Sequence, residues 1–115
     1  RGCGYAREAG EDVSTDNGLV PLTLRVLRTA GHWPTRIQAG TARGGSMHLS
    51  RAGMLDILDL TPDGDVWFIE CKRSDGKLND HQLEFIEWCL KHGHEHRVRV
   101  VRSAADVAAL VEGRS

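Results

Sequence analysis

The chain has 115 residues, 40% hydrophobic and 27% charged, with 15 Lys+Arg against 16 Asp+Glu. That is enough for one core but not two, and a net charge of −1 excludes a uniformly basic nucleic-acid binder. Three cysteines, widely spaced and odd in number, argue against a disulfide framework or a cysteine zinc cluster.

No apolar run approaches a membrane span, and the first residues lack a secretory pattern, so a reducing, cytoplasmic setting is expected. The charge is unevenly spread. Residues 17–55 carry Arg25, Arg28, Arg36, Arg43 and Arg51, while every acidic residue lies outside that stretch. A field of this shape attracts a polyanion locally even though the total charge is near zero.

Residues 1–16 are rich in Gly and charge and read as a loose lead-in to a folded domain over 17–115. The first helix is expected over about 18–30. Leu19, Leu22, Val26 and Ala30 form its apolar stripe, flanked by Thr23 and Leu27, and Pro21 sits in its first turn. Asp16 or Asn17 would cap it, and Gly31 ends it. Residues 33–39 read as a short edge strand with Pro34 at its start. Residues 40–53 form a Gly- and Arg-bearing loop of the kind that orders on a ligand.

Two strands follow, 54–60 and 66–72, joined by the turn Pro62-Asp63-Gly64-Asp65. The second, Val66-Trp67-Phe68-Ile69-Glu70-Cys71-Lys72, is apolar on both faces until it ends in a carboxylate and an amine. Side chains two apart on a strand share a face, so Glu70 and Lys72 point the same way. An acid-x-Lys triplet is often a weak surface ion pair. On a covered central strand, however, buried charges cost desolvation unless paired or metal-bound. Asp56 on the preceding strand brings a second carboxylate toward the same point. Two carboxylates, with the backbone carbonyl of Cys71 as a further oxygen, suit Mg²⁺ or Mn²⁺, and Lys72 could offset negative charge that develops nearby.

The clearest helix spans about 80–92, with Asn79 and Gln82 in capping-box spacing. Leu83, Phe85, Ile86, Cys89 and Leu90 share one arc with Gln82 inside it. An inward amide needs a partner, either the helix cap or the Asp/Glu/Lys cluster. His92, His94 and His96 straddle the helix end and Gly93, which reads as a solvated turn, not a metal site. Residues 97–101 form a strand. Ser103 opens a last helix with a stripe of Ala104, Val107, Ala108 and Val111. Cys71 and Cys89 read as small buried apolar residues.

Together, Gly53-Met54-Leu55-Asp56, Phe68-Ile69-Glu70-Cys71-Lys72 and Leu78-Asn79-Asp80-His81-Gln82 resemble the PD-(D/E)XK nuclease superfamily. More narrowly, they resemble its VRR-NUC (virus-type replication-repair nuclease) domain, over roughly residues 17–111. The resemblance implies an α/β core, a mixed sheet of about four strands flanked by helices. It also implies a Mg²⁺- or Mn²⁺-dependent endonuclease acting on branched, flap or Holliday-junction DNA, working as a homodimer in a bacterial or phage-infected cell. Carried over by position, Asp56 and Glu70 bind metal with the Cys71 carbonyl, Lys72 is catalytic, and Gln82 supports the site. Two departures stand out: Leu55 replaces the usual Pro before the first Asp, and the first-helix acid is best matched by Asp16, with Glu11 second. Arg36, Arg43, His48, Arg51, Arg73 and Lys77 are placed to meet phosphates. Competing readings are a nuclease-like fold kept as a non-catalytic DNA-binding or assembly module, and a restriction-type enzyme cutting linear duplex.

Overall fold

The computed structural model describes residues 16–37 and 55–112. Its elements in chain order are α1 (Asp16–Thr29), β1 (Trp33–Arg36), β2 (Ile57–Leu60), β3 (Val66–Cys71), α2 (Asp80–Lys91), β4 (Val98–Val101) and α3 (Ala104–Ala109). The strands form one mixed sheet in the order β1-β2-β3-β4. The first three are antiparallel neighbours, and β4 runs parallel to β3. The parallel step needs a crossover, which α2 provides.

The pleat of β3 sorts the layers. Trp67, Ile69 and Cys71 point to one face, where they join Ile57 and Val101, Leu19, Val20 and Leu27 of α1, Val107 of α3 and Leu110 in one buried cluster. Phe68 and Glu70 point to the other face and meet α2. The Phe68 and Phe85 rings lie edge to face with centroids 5.3 Å apart. A strand apolar on both faces thus becomes the covered middle of an α/β/α sandwich.

α1 starts at Asp16, so Pro21 lies in its second turn, on the exposed side. Its buried ridge runs through Leu19, Thr23 and Leu27. Leu22 and Val26 sit at the margin, and Ala30 is exposed. The expected stripe is therefore rotated. Thr23 can occupy the centre because its hydroxyl donates to the Leu19 carbonyl at 2.7 Å, which satisfies it within its own helix. The helix closes with Gly31 at φ 91°, where the N–H groups of Gly31 and His32 bond the carbonyls of Arg28 and Leu27.

β1 is shorter than expected, ending at Arg36, and Pro34 sits on the sheet's edge strand, where a missing N–H breaks no ladder. On α2 the predicted apolar arc is only partly buried. Cys89 is buried and Phe85 and Ile86 half-buried, whereas Leu83 and Leu90 are 43% and 52% exposed. On α3, Val107 is buried and Ala104 exposed, with Leu110 beyond the helix joining the core. The loop 40–53 and the lead-in 1–15 lie outside the described residues.

Candidate metal centre

The β2–β3 register pairs Ile57 with Ile69, so Asp56 stands opposite Glu70 one step further along. Both carboxylates therefore leave the hairpin on the α2 side at its open end. Asp56 Oδ2 accepts a hydrogen bond from the Cys71 backbone N–H at 2.9 Å, which fixes the side chain across the strand pair. On the other side of Glu70, Lys72 Nζ lies 3.6 Å from Glu70 Oε2 and is itself largely covered.

Gln82 completes the cluster from α2. Its Oε1 accepts from the Asn79 N–H at 2.8 Å, and its own N–H donates to Asn79 Oδ1 at 2.9 Å, forming a reciprocal cap. With Oε1 facing an N–H, the amide nitrogen must face outward from the cap, and Nε2 donates to Glu70 Oε2 at 2.8 Å. The two expected roles for Gln82 are thus performed by its two ends.

Glu70 is 2% exposed, and its Oε1 has no hydrogen-bond partner among the described residues. Burial, followed by the neighbouring Asp56 carboxylate, pushes its pKa from 4.5 up to about 7, against the opposing pull of Lys72 and Gln82. A buried carboxylate facing a second one is a poor place for negative charge unless a cation joins them. A divalent ion fits this donor set. It favours oxygen ligands and is commonly held by one or two carboxylates with water and phosphate oxygens completing the shell. Among the described residues, no group of three or more His, Cys, Asp or Glu side chains converges.

No protein-family model and no curated protein sequence matches the chain. Among solved structures, one described as a VRR_NUC domain superposes with a TM-score of 0.66 at 26% identity, covering 87% of this chain and 97% of the other. The chain is a structural relative of the VRR-NUC domain. Its mixed four-stranded sheet between helices is a nuclease-like α/β fold in that sense.

On this VRR-NUC-like frame, Asp56, Glu70, Lys72 and Gln82 gather at one end of the β2–β3 hairpin. Of the residues expected to meet phosphates, Arg36 is exposed at the end of β1, whose neighbour Ile37 bonds the Asp56 carbonyl through its N–H at 2.7 Å. Arg73 and Lys77 are exposed just beyond β3, with Arg73 Nε 3.1 Å from Asp75 Oδ1. Arg43, His48, Arg51 and Glu11 lie outside the described residues. Asp16 begins α1, but its side chain is also outside them. His92 and His94 both stack on Trp88, with centroids 4.1 and 5.7 Å away. His94 Nδ1 also lies 2.9 Å from Arg97 Nη1, and His96 Nε2 lies 3.4 Å from Asp65 Oδ2.

Sequence reasoning missed a second buried polar pair at the other end of the hairpin. His32 Nδ1 lies 2.5 Å from Asp59 Oδ2, and both side chains are almost fully buried. The signal was present in the alternation of β2, which puts Asp59 on the same core face as Ile57 and so demands a partner. No helix among the described residues is long and apolar enough to cross a membrane.

Proposed function

We propose that the chain is a Mg²⁺- or Mn²⁺-dependent endonuclease that hydrolyses phosphodiester bonds of branched DNA in the cytoplasm of a bacterial or phage-infected cell. The observation that carries this reading is the buried Glu70 carboxylate, with one oxygen unpartnered among the described residues, beside a second carboxylate and a largely covered lysine. Asp56, Glu70 and the Cys71 carbonyl would hold the ion, with Asp16 as a further ligand. When bound, the ion would supply Lewis acidity toward a phosphate oxygen and a nucleophilic water.

The remaining work falls to the chain's own groups. Gln82 aims the Glu70 carboxylate through its amide nitrogen, so the ligand does not have to be reoriented on binding. Lys72, on the same face, neutralises charge that develops on the phosphate as the bond breaks. Arg36, Arg73 and Lys77 at the rim, with Arg43, His48 and Arg51, would neutralise flanking phosphates without reading bases. Two copies related by a two-fold axis would suit a symmetric junction.

The test is cleavage of a substrate panel (four-way junction, flap, single strand and linear duplex) in Mn²⁺ and in chelator. Metal-dependent cutting of branched DNA is expected. Binding without cutting would instead make the chain a non-catalytic module, and discrete cuts in linear duplex would make it a restriction-type enzyme.

A further inference from the structure

We infer that Arg102, just past the end of β4, is a positioning residue for Lys72. The inference rests on reading Lys72 as the catalytic amine. The backbone N–H of Lys72 bonds the Val101 carbonyl at 2.9 Å, so β4 ends beside Lys72. The next residue of that segment, Arg102, turns its guanidinium onto the turn that follows β3. Arg102 Nη1 donates to the Arg73 carbonyl at 3.1 Å and to the Gly76 carbonyl at 2.6 Å. The turn already has an internal bond from the Gly76 N–H to the Arg73 carbonyl at 2.9 Å. One cation therefore draws both carbonyls of a closed turn toward a single point, a stronger tie than neutral donors would make.

Gly76 transmits that tie to the amine. A Cβ placed there would meet Lys72 Cδ at 3.5 Å and the Arg73 carbonyl oxygen at 3.3 Å. The Lys72 stem thus runs past Gly76 at a distance that a Cβ would close to van der Waals contact, so the turn borders the path of the amine's stem. Lysine is a flexible four-carbon chain with a strongly hydrated head, so something must hold its ammonium beside Glu70. Arg102 is in turn fixed from behind. Its N–H donates to Asp106 Oδ2 at 2.9 Å, and the Asp106 N–H donates to Ser103 Oγ at 3.1 Å. The cap of α3 thereby sets Arg102, Arg102 sets the turn, and the turn sets Lys72.

The test uses the full chain and two readouts. The first is single-turnover cleavage in Mn²⁺ of whichever branched oligonucleotide the native chain cuts best. Arg102→Met keeps the stem and removes the donors. It should slow the cleavage step about tenfold, with DNA affinity and melting temperature near native. Arg102→Lys, which retains a cation able to reach the carbonyls, should recover most of the rate. The second readout needs no activity. Lys72, Lys77 and Lys91 are the chain's only lysines, so ¹³Cε/¹⁵Nζ signals can be assigned by single substitutions. Arg102→Met should move the Lys72 signal and leave Lys91 in place.

A native rate in Arg102→Met, or an unmoved Lys72 signal, overturns the inference. If the native chain cuts no DNA, the nuclease reading has failed, yet the Lys72 signal still decides whether Arg102 governs that amine. If Arg102→Met does not fold, Gly76→Ala disturbs the same contact from the turn itself. It should shift the Lys72 signal, and no shift there overturns the inference equally.

Discussion

The β2–β3 hairpin buries an acid toward each of its ends, and the two have opposite fates. Toward the turn, Asp59 is 0% exposed and lies 2.5 Å from His32, with the Trp67 ring packed against the imidazole at 5.3 Å between centroids. Toward the open end, Glu70 is 2% exposed and has Asp56 as a neighbour. The Lys72 amine lies 3.6 Å from Glu70. The same chemical group at the same burial is answered by a base alone in one case and by a second acid together with an amine in the other. The first arrangement makes a fold more stable than it would be with either partner alone. The second raises the Glu70 pKa to about 7, so that the carboxylate holds a proton below neutral pH, and it is the arrangement for which a bound cation is proposed.

The sharpest way to break this comparison is to convert each acid to its amide. Glu70→Gln and Asp56→Asn should each reduce Mn²⁺-dependent cleavage by about a thousandfold or more, since the ion's contribution to such hydrolysis is lost with its ligand. Calorimetric titration should show Mn²⁺ binding lost or greatly weakened in both, with circular dichroism unchanged. Full activity in either variant would remove the site from consideration. Asp59→Asn should do the reverse. Exchanging the carboxylate beside His32 for an amide should cost about 1–3 kcal/mol in denaturant unfolding, while whatever folds continues to cleave. Equal stability losses at Asp59 and Glu70 would erase the distinction between the two ends.

The next effect is read in pH. Glu70 has its pKa raised from 4.5 to about 7, chiefly by burial and then by Asp56. The native state therefore holds a proton that the unfolded chain gives up, so stability is highest below the unfolded pKa. It falls as pH rises through the interval between the two values, then levels off above it. The metal-free protein should lose at most about 3 kcal/mol across that window. Glu70→Gln, which cannot ionise, should show a flatter curve and exceed the native protein in stability above neutral pH. Mn²⁺ should restore native stability most strongly there, because protons and metal compete for one carboxylate. A native melting temperature that rises between pH 5 and 7 by the amount seen in Glu70→Gln would refute the assignment.

What the sequence disclosed about these two ends follows the range of the interactions. The Glu70-x-Lys72 pair, the Asn79–Gln82 cap, the Asp63–Gly64 turn and the Ser103 cap are set by residues a few positions apart, and each lies where its spacing placed it. The parallel β3–β4 neighbourhood follows from a strand–helix–strand order. His32–Asp59 and Arg102–Arg73 join residues 27 and 29 positions apart in different elements, and no local pattern marks either member as the other's partner. The rotation of α1 has a subtler origin. Hydrophobicity alone ranks Thr23 below Leu22 and Val26, but a hydroxyl satisfied by its own helix is small and inert enough to lie at the centre of the core. Gln82 was ambiguous because one amide can serve a cap or a cluster, and only the placement of α2 over β3 lets it serve both.

The smallest expected effect concerns that amide, and it tests whether the open end is prepared for a cation or merely left unsatisfied. Gln82→Ala removes the Oε1 half of the cap, a loss of about 1 kcal/mol of helix stability. It also removes the one neutral donor to Glu70 Oε2, which lowers the pKa of that carboxylate. Without it, the metal-free stability curve should shift slightly toward higher pH, because Glu70 keeps its proton longer. Mn²⁺ affinity near neutral pH should fall about tenfold, in the range seen when groups that orient metal ligands are removed. Gln82→Glu should lower the stability of the metal-free protein further, since a third carboxylate would then face the pair. If instead Gln82→Ala binds Mn²⁺ as tightly as the native chain, then Gln82 serves the helix alone, and the orientation of Glu70 must come from β3.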